Sequence, residues 1–392
     1  MNFKLSNPTR LYFGDNAITN LEPELMDARR ILLIYGGGSI KKTGLYDVII
    51  NTLKDLNKKV YELSGVPPNP TLAKVKEGAA ICKNNQVDYI LAVGGGSVID
   101  CAKGVAVAAL YDGDIWDVIK YKKPASSKLP LGTILTNSAT SSENNYYSVI
   151  SNTETAEKLG WAIWPLNFPV FSIVDPKFTK SVPLNHTVYG IVDIMSHMIE
   201  NYFHNKDVNN PIIAIMDRHL ETMLKYMMSL GKKLVLDLEN VELRESIAYI
   251  GTQGLSTHTR HITEGDWASH LMEHAISAVY DIPHGGGLAI VMPHWMKHIY
   301  KKAPVKFVMF ARNVMELTQN PNESDGEFGL RGINAFSEFL ETIGAPLKLS
   351  YYNIDDKHIQ DMVKKSLGFA EVIGKIVPLN EKDIEQIFTS SL

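Results

Sequence analysis

Only two cysteines, Cys82 and Cys101, occur in 392 residues, and they form no paired-cysteine motif. Their scarcity excludes a disulfide scaffold or a cysteine-built metal cluster and favours a reducing, cytosolic setting. A strong charge of either sign is also lacking. A net charge of -4 gives no electrostatic reason to expect nucleic acid or an acidic membrane surface as partner. No apolar run is long enough to span a bilayer, and the opening Met-Asn-Phe-Lys-Leu-Ser-Asn-Pro-Thr-Arg has no apolar signal core. A soluble cytoplasmic protein is expected. Neither G-x-G-x-x-G nor G-x-x-x-x-G-K-[ST] is present, which excludes the usual dinucleotide fingerprint and the P-loop. Internal repeats and low-complexity tracts are absent too.

What is there changes character along the chain. The first half alternates short apolar runs with amphipathic stretches. Arg30–Tyr35, Lys59–Leu63 and Tyr89–Val93 read as strands. Leu45–Leu56 reads as a helix, and a second runs from an N-cap at Thr71 to about Asn85. This βαβ rhythm predicts a parallel sheet with helices on both faces. Beyond Val182-Pro183 the pattern turns helical, with apolar residues at helical spacing over Thr187–Tyr202, Pro211–Met228, Asn240–Ser256 and Asp266–Val279. The expected division is therefore an α/β domain over 1–183 and a helical domain over 184–392. Thr318–Gly326 reads as a surface loop.

Two glycine loops follow strands in the first half. Gly94-Gly95-Gly96-Ser97, with Asp100 three residues on, stands between a strand and a helix, where backbone N–H groups and the helix dipole favour a pyrophosphate. A plain strand-to-helix turn explains one such loop equally well. The second, Gly36-Gly37-Gly38-Ser39, shifts the balance toward a ligand, because open parallel sheets bind ligands at their strand C-termini. Thr136–Glu143 adds a cluster of small hydroxyls.

The second half carries a candidate metal quartet. Asp193 and His197 lie one helical turn apart, and His270 and His284 flank a helix and a Pro283-His284-Gly285 loop able to return its imidazole. One carboxylate and three imidazoles suit Fe2+ or Zn2+ and leave a position open, the pattern of a catalytic site. With the glycine loops, this predicts a metal-assisted redox enzyme. His186, His204, His219, His258 and His261 read as bystanders. A rival reading takes His270-Leu-Met-Glu273-His274 as the H-x-x-E-H of an inverted zinc peptidase, with His270 and His274 on the metal and Glu273 as general base. A nucleotide-binding module without catalysis would leave the quartet unexplained. Trp161, Trp164 and Trp267 fit an apolar pocket or core packing equally.

Pro8–Gly14, Tyr35–Gly44, Gly94–Asp100, Asp193–His197 and His270–His284 together resemble the iron-containing (group III) alcohol dehydrogenases, most nearly the butanol dehydrogenase and broad-range aldehyde reductase branch. The resemblance spans nearly the whole chain. It implies an N-terminal dinucleotide-binding α/β domain, a C-terminal all-helical metal-binding domain of dehydroquinate synthase-like fold, and an active site between them. Glycerol dehydrogenase and dehydroquinate synthase are the nearer rivals.

Carried over by the resemblance, the metal ligands fall on Asp193, His197, His270 and His284, and a proton-transfer role falls on His274. Cofactor contacts fall on Gly37, Gly38, Ser39, Gly94, Gly95, Gly96, Ser97, Asp100, Thr136, Thr140 and Lys158. The implied reaction interconverts small aliphatic aldehydes and primary alcohols, such as butanal and butanol, with a homodimer as the assembly. Many relatives hold the adenosine ribose with a carboxylate where Gly37 stands here, followed by Gly38, Ser39 and Lys41. Without that negative charge the loop tolerates a 2′-phosphate, so NADP(H) is expected over NAD(H).

Overall fold

In the computed structural model, which describes residues 4–392, alternate side chains of the run Ile31-Leu-Leu-Ile-Tyr35 enter two different cores. Leu32 and Ile34 join one buried cluster, while Ile31, Leu33 and Tyr35 join the other. A strand buried on both faces must be apolar throughout, which is why this segment lacks the polar alternation of a half-exposed strand. The main sheet is six-stranded and parallel, in the order β1-β8-β5-β4-β2-β3. Its strands are β1 (Arg10–Phe13), β2 (Arg30–Tyr35), β3 (Lys59–Leu63), β4 (Tyr89–Gly94), β5 (Leu131–Leu135) and β8 (Phe171–Val174). Between β5 and β8 an antiparallel hairpin, β6 (Tyr147–Asn152) and β7 (Glu157–Ala162), stands apart from it.

Three longer helices join the early strands: α1 (Leu45–Asp55), α2 (Leu72–Asn85) and α3 (Gly96–Ala108). The Thr71 side chain accepts the Lys74 N–H at 3.2 Å, the cap its residue type predicts. Leu33 pairs with Leu91 and Ile90 with Leu131, so β2, β4 and β5 end level with one another. Both glycine loops leave the sheet at that edge.

The second half contributes α4 (Leu184–Tyr202), α5 (Pro211–Leu234), α6 (Val241–Gly254), α7 (Ala268–Tyr280), α8 (His284–Ile299), α9 (Asp325–Thr342), α10 (Ile359–Leu367) and α11 (Glu381–Ser390). The chain forms two compact units: Lys4–Pro183 with Leu238–Ser256, and Leu184–Asp237 with Thr257–Leu392. This differs from a contiguous division at 183, because α6 belongs with the sheet. It is drawn there by polar anchors: Ser141 Oγ donates to Gly251 O, and Asn144 and Asn145 donate to Thr252 O and Leu255 O.

Two other differences have local causes. The loop expected over 318–326 ends sooner, since Ser324 and Glu327 form a capping box that starts α9 at Asp325. Likewise, His284 is the first residue of α8, not part of a returning loop. Three glycines are poor helix formers, but close packing leaves no room for side chains. A Cβ on Gly285 would lie 2.2 Å from Tyr189 O, and one on Gly286 2.0 Å from the Tyr352 hydroxyl. No helix among the described residues is long and apolar enough to cross a membrane.

Candidate metal centre and cofactor loops

On α4, Asp193, His197 and Glu200 stand at i, i+4 and i+7, so one helix face presents all three. α7 contributes His270, Glu273 and His274, and α8 begins on His284. Donor atoms of Asp193, His197 and His270 lie within 4.8 Å of one another. Asp193 Oδ1 is 3.8 Å from His197 Nε2 and 3.6 Å from His284 Nε2. These gaps exceed a hydrogen bond, whereas donors sharing one cation at bond lengths of about 2.1 Å and tetrahedral angles stand about 3.4 Å apart. The four expected ligands thus come together on three helices, in a donor set that fits a divalent ion.

Electrostatics agree with that fit. Burial first, and then the neighbouring rings of His270, His284 and His274, push the His197 imidazole well below its usual pKa. It is therefore neutral, as a ligand must be. Its Nδ1 is buried without a hydrogen-bond partner among the described residues. Asp193, His197 and His270 are buried, while His274 and His284 are half-buried, so access is greatest on the last two. The His274 ring lies 5.5 Å from that of His284 and 6.4 Å from that of His270.

Two carboxylates that the ligand motif does not include back this group. Glu200 is fully buried and accepts the Nδ1–H of His270 at 3.2 Å and its backbone N–H at 3.1 Å. Burial raises its carboxyl to about 7 against these donors. Glu273 is also fully buried and accepts from His284 Nδ1 and Ser277 Oγ. A peptidase general base would have to turn toward a water, and this carboxylate is occupied holding a histidine. That corrects the H-x-x-E-H reading. Trp267 packs its ring 5.2 Å from His270 and 6.3 Å from His197. Trp161 is core, with its Nε1–H donated to Ser148.

The cofactor candidates lie in the α/β unit. Gly95 caps α3 in an extended conformation. Packing accounts for its neighbours: a Cβ on Gly94 would meet Val98 at 2.5 Å, and one on Gly96 would meet Thr140 at 2.3 Å. Around Gly37 and Gly38, by contrast, nothing lies within 4 Å of an added Cβ, and Gly38 has φ +97°. Ser39 opens the short helix that follows. Asp100 turns inward, accepting from Ser142 Oγ at 2.6 Å and Val149 N at 2.8 Å. It thereby ties the hydroxyl-rich loop to α3. Thr136 donates its N–H to Gly94 O, Thr140 Oγ1 accepts from Ser142 N, and Ser97 Oγ donates to Pro68 O. In the same loop Ser138 Oγ is buried without a partner among the described residues, as a hydroxyl awaiting a ligand would be. Lys158 is buried on β7 opposite Ser151.

Sequence reasoning missed Lys103 and Glu62 as well. Lys103 is fully buried one turn after Asp100, donating to Ser142 Oγ, Asn145 Oδ1 and Tyr147 O. Glu62, at the end of β3, accepts from the hydroxyls of Tyr35 and Tyr46, each at 2.6 Å, with Lys41 Nζ 3.9 Å away. Partial burial works to raise its carboxyl, but these neighbours hold it below its usual value. A carboxylate on the adjacent strand is therefore held by Tyr35, which precedes the Gly36–Gly38 loop, and lies near Lys41, which follows it.

Comparison with known proteins agrees with this fold. The family model for iron-containing alcohol dehydrogenase matches residues 8–176, and that for the C-terminal part of the Fe-containing alcohol dehydrogenase family matches 187–392. The chain is 46% identical to a probable NADH-dependent butanol dehydrogenase 1 of Bacillus subtilis (strain 168), with all of both chains covered. It is 34% identical to the NADPH-dependent aldehyde reductase YqhD of Escherichia coli (strain K12), covering 93% of this chain and 92% of that one. Among solved structures, NADH-dependent butanol dehydrogenase A of Thermotoga maritima matches with a TM-score of 0.93 at 37% identity, over 100% of this chain and 98% of that one. These relatives lend no support to a peptidase.

Proposed function

Because the chain belongs to the iron-containing alcohol dehydrogenase family, we propose that it interconverts small aliphatic aldehydes and primary alcohols, butanal and butanol among them. The observation that carries the proposal is the convergence of Asp193, His197, His270 and His284, which would hold one divalent ion, Fe2+ or Zn2+. When bound, the ion supplies Lewis acidity at the substrate oxygen, and the nicotinamide supplies or accepts hydride. The protein does the rest. Buried Asp193, His197 and His270 keep water from one side of the site. His274, half-buried beside His284, holds or releases the substrate's proton on an imidazole nitrogen. Gly37, Gly38, Ser39, Gly94–Ser97, Thr136, Thr140 and Lys158 form the dinucleotide-binding set, with Asp100 anchoring the hydroxyl loop. A homodimer in a reducing cytoplasm completes the proposal, with Cys82 and Cys101 buried as free thiols.

Glu62 argues for NADH over NADPH, against the preference expected from the sequence. Its charge, held between Tyr35 and Lys41 on either side of the glycine loop, opposes a 2′-phosphate bound there, and the relatives include enzymes of both kinds. Glu62→Gln should raise kcat/KM for NADPH relative to NADH by about five- to tenfold, a charge effect of about 1 kcal/mol. An unchanged ratio would remove Glu62 from cofactor choice.

The activity test is loss of nicotinamide absorbance when the metal-loaded protein meets butanal, with a chelated control. Chelator-sensitive turnover is expected. Asp193→Ala and His284→Ala should lose metal and turnover together, whereas His274→Ala should keep metal and lose about 10²–10⁴-fold in rate. A metal-free but fully active His284→Ala protein would refute the ligand assignment.

A further inference from the structure

The metal-ligand reading leaves two buried carboxylates without a task, and both lie one bond behind a ligand. Glu200 leaves α4 to accept the His270 Nδ1–H on α7. Glu273 leaves α7 to accept the His284 Nδ1–H on α8. His284 Nε2 then faces Asp193 Oδ1 on α4 at 3.6 Å, so the chain of contacts closes on the helix where it began. Each carboxylate engages Nδ1 and leaves Nε2 of the same ring for the ion.

We infer that Glu200 and Glu273 are positioning residues that fix the tautomer and ring orientation of His270 and His284, so that three helices lock one another's metal ligands. The inference rests on the ligand assignment proposed above. An imidazole offers one lone pair when neutral, and a proton held on Nδ1 puts that lone pair on Nε2. A carboxylate is the group best suited to hold that proton, and outer partners of this kind strengthen the ligand as a donor. The packing has been shaped to admit both. A Cβ on Gly287 would stand 2.8 Å from Glu273 Cγ, so the glycine leaves the carboxylate its space. Glu200 also gathers the backbone N–H groups of Trp267 and His270, fixing the first turn of α7 that carries the ring it orients. The Glu of the H-x-x-E-H motif thus serves a metal site, but from behind.

The test uses Co2+-loaded full-length protein, following the visible bands and the rate at which excess EDTA removes the ion. Glu200→Ala and Glu273→Ala should release Co2+ about 10–100-fold faster than the unmodified protein, with shifted bands. Glu200→Gln and Glu273→Gln, which keep an acceptor oxygen, should fall between. Asp193→Ala is the control for the ligand set itself. If it loses Co2+ while both Ala variants keep wild-type release and band positions, the positioning role is overturned and the ligand set stands. If Asp193→Ala holds Co2+ as the unmodified protein does, both readings fall. Should an Ala variant fail to fold, the Gln pair decides, and unshifted bands at wild-type release reject the inference.

Discussion

Glu143 shows how far a single residue's surroundings can outweigh its type. Burial, helped by the Asp100 charge and opposed by Lys103, raises its carboxyl to about 7, and burial lowers the Lys103 ammonium to about 7. For Glu143 the folded value exceeds the usual 4.5, so between these values the native state binds the extra proton and stability falls as pH rises. Above about 7 the cost is complete. Glu143→Gln should therefore gain on the unmodified protein by a few kcal/mol, on the order of 3, between pH 4.5 and 7, with no further gain above. Chemical denaturation at a series of pH values measures the difference, and a pH-independent one would contradict the burial argument. Such residues were not legible in the sequence, because the partners of Lys103 lie at 142, 145 and 147. The expected ligands were legible as a set because Asp193 and His197 share a helix turn. Glu200 carries the same signal one turn further on, yet it was not singled out from the sequence.

At the scale of elements, regular patterns read well and tight packing did not. Strands β2 and β4 declared themselves by apolar runs, and α2 by its Thr71 cap. Periodicity cannot reveal that Gly285, Gly286 and Gly287 belong to the first turn of α8, since what requires glycine there is close packing against Tyr189, Tyr352 and Glu273. The same packing makes a sharp prediction. Gly285→Ala drives a methyl into backbone carbonyl Tyr189 O, which no rotamer change relieves, and should destabilise the protein by about 1–3 kcal/mol. Thermal unfolding would register it as a lower Tm, accompanied by weaker metal retention as His284 shifts with the helix. Gly326→Ala is the control, since a Cβ there meets nothing within 4 Å. Equal Tm values for the two variants would count against the packing account.

Across the whole molecule, sequence order and structural membership part company at α6. A composition change near Pro183 is visible in the sequence, but the return of residues 238–256 to the sheet is not, because it depends on Ser141, Asn144 and Asn145 meeting carbonyls more than a hundred residues away. Hydrogen exchange should follow structure over sequence. Amides of α6 should exchange with the same opening free energy as those of β4, not with those of α5, their nearest long helix in the chain. Exchange of α6 in step with α5 would argue against the division into these units. The arrangement also sets a schedule for the nascent chain. When Pro183 leaves the ribosome every strand of the sheet has been made, yet the carbonyls that anchor the hydroxyl loop do not exist until residue 255 is added. At roughly 5–20 residues per second, the sheet half waits several seconds of translation, exposed and incomplete, for a helix encoded inside the other half.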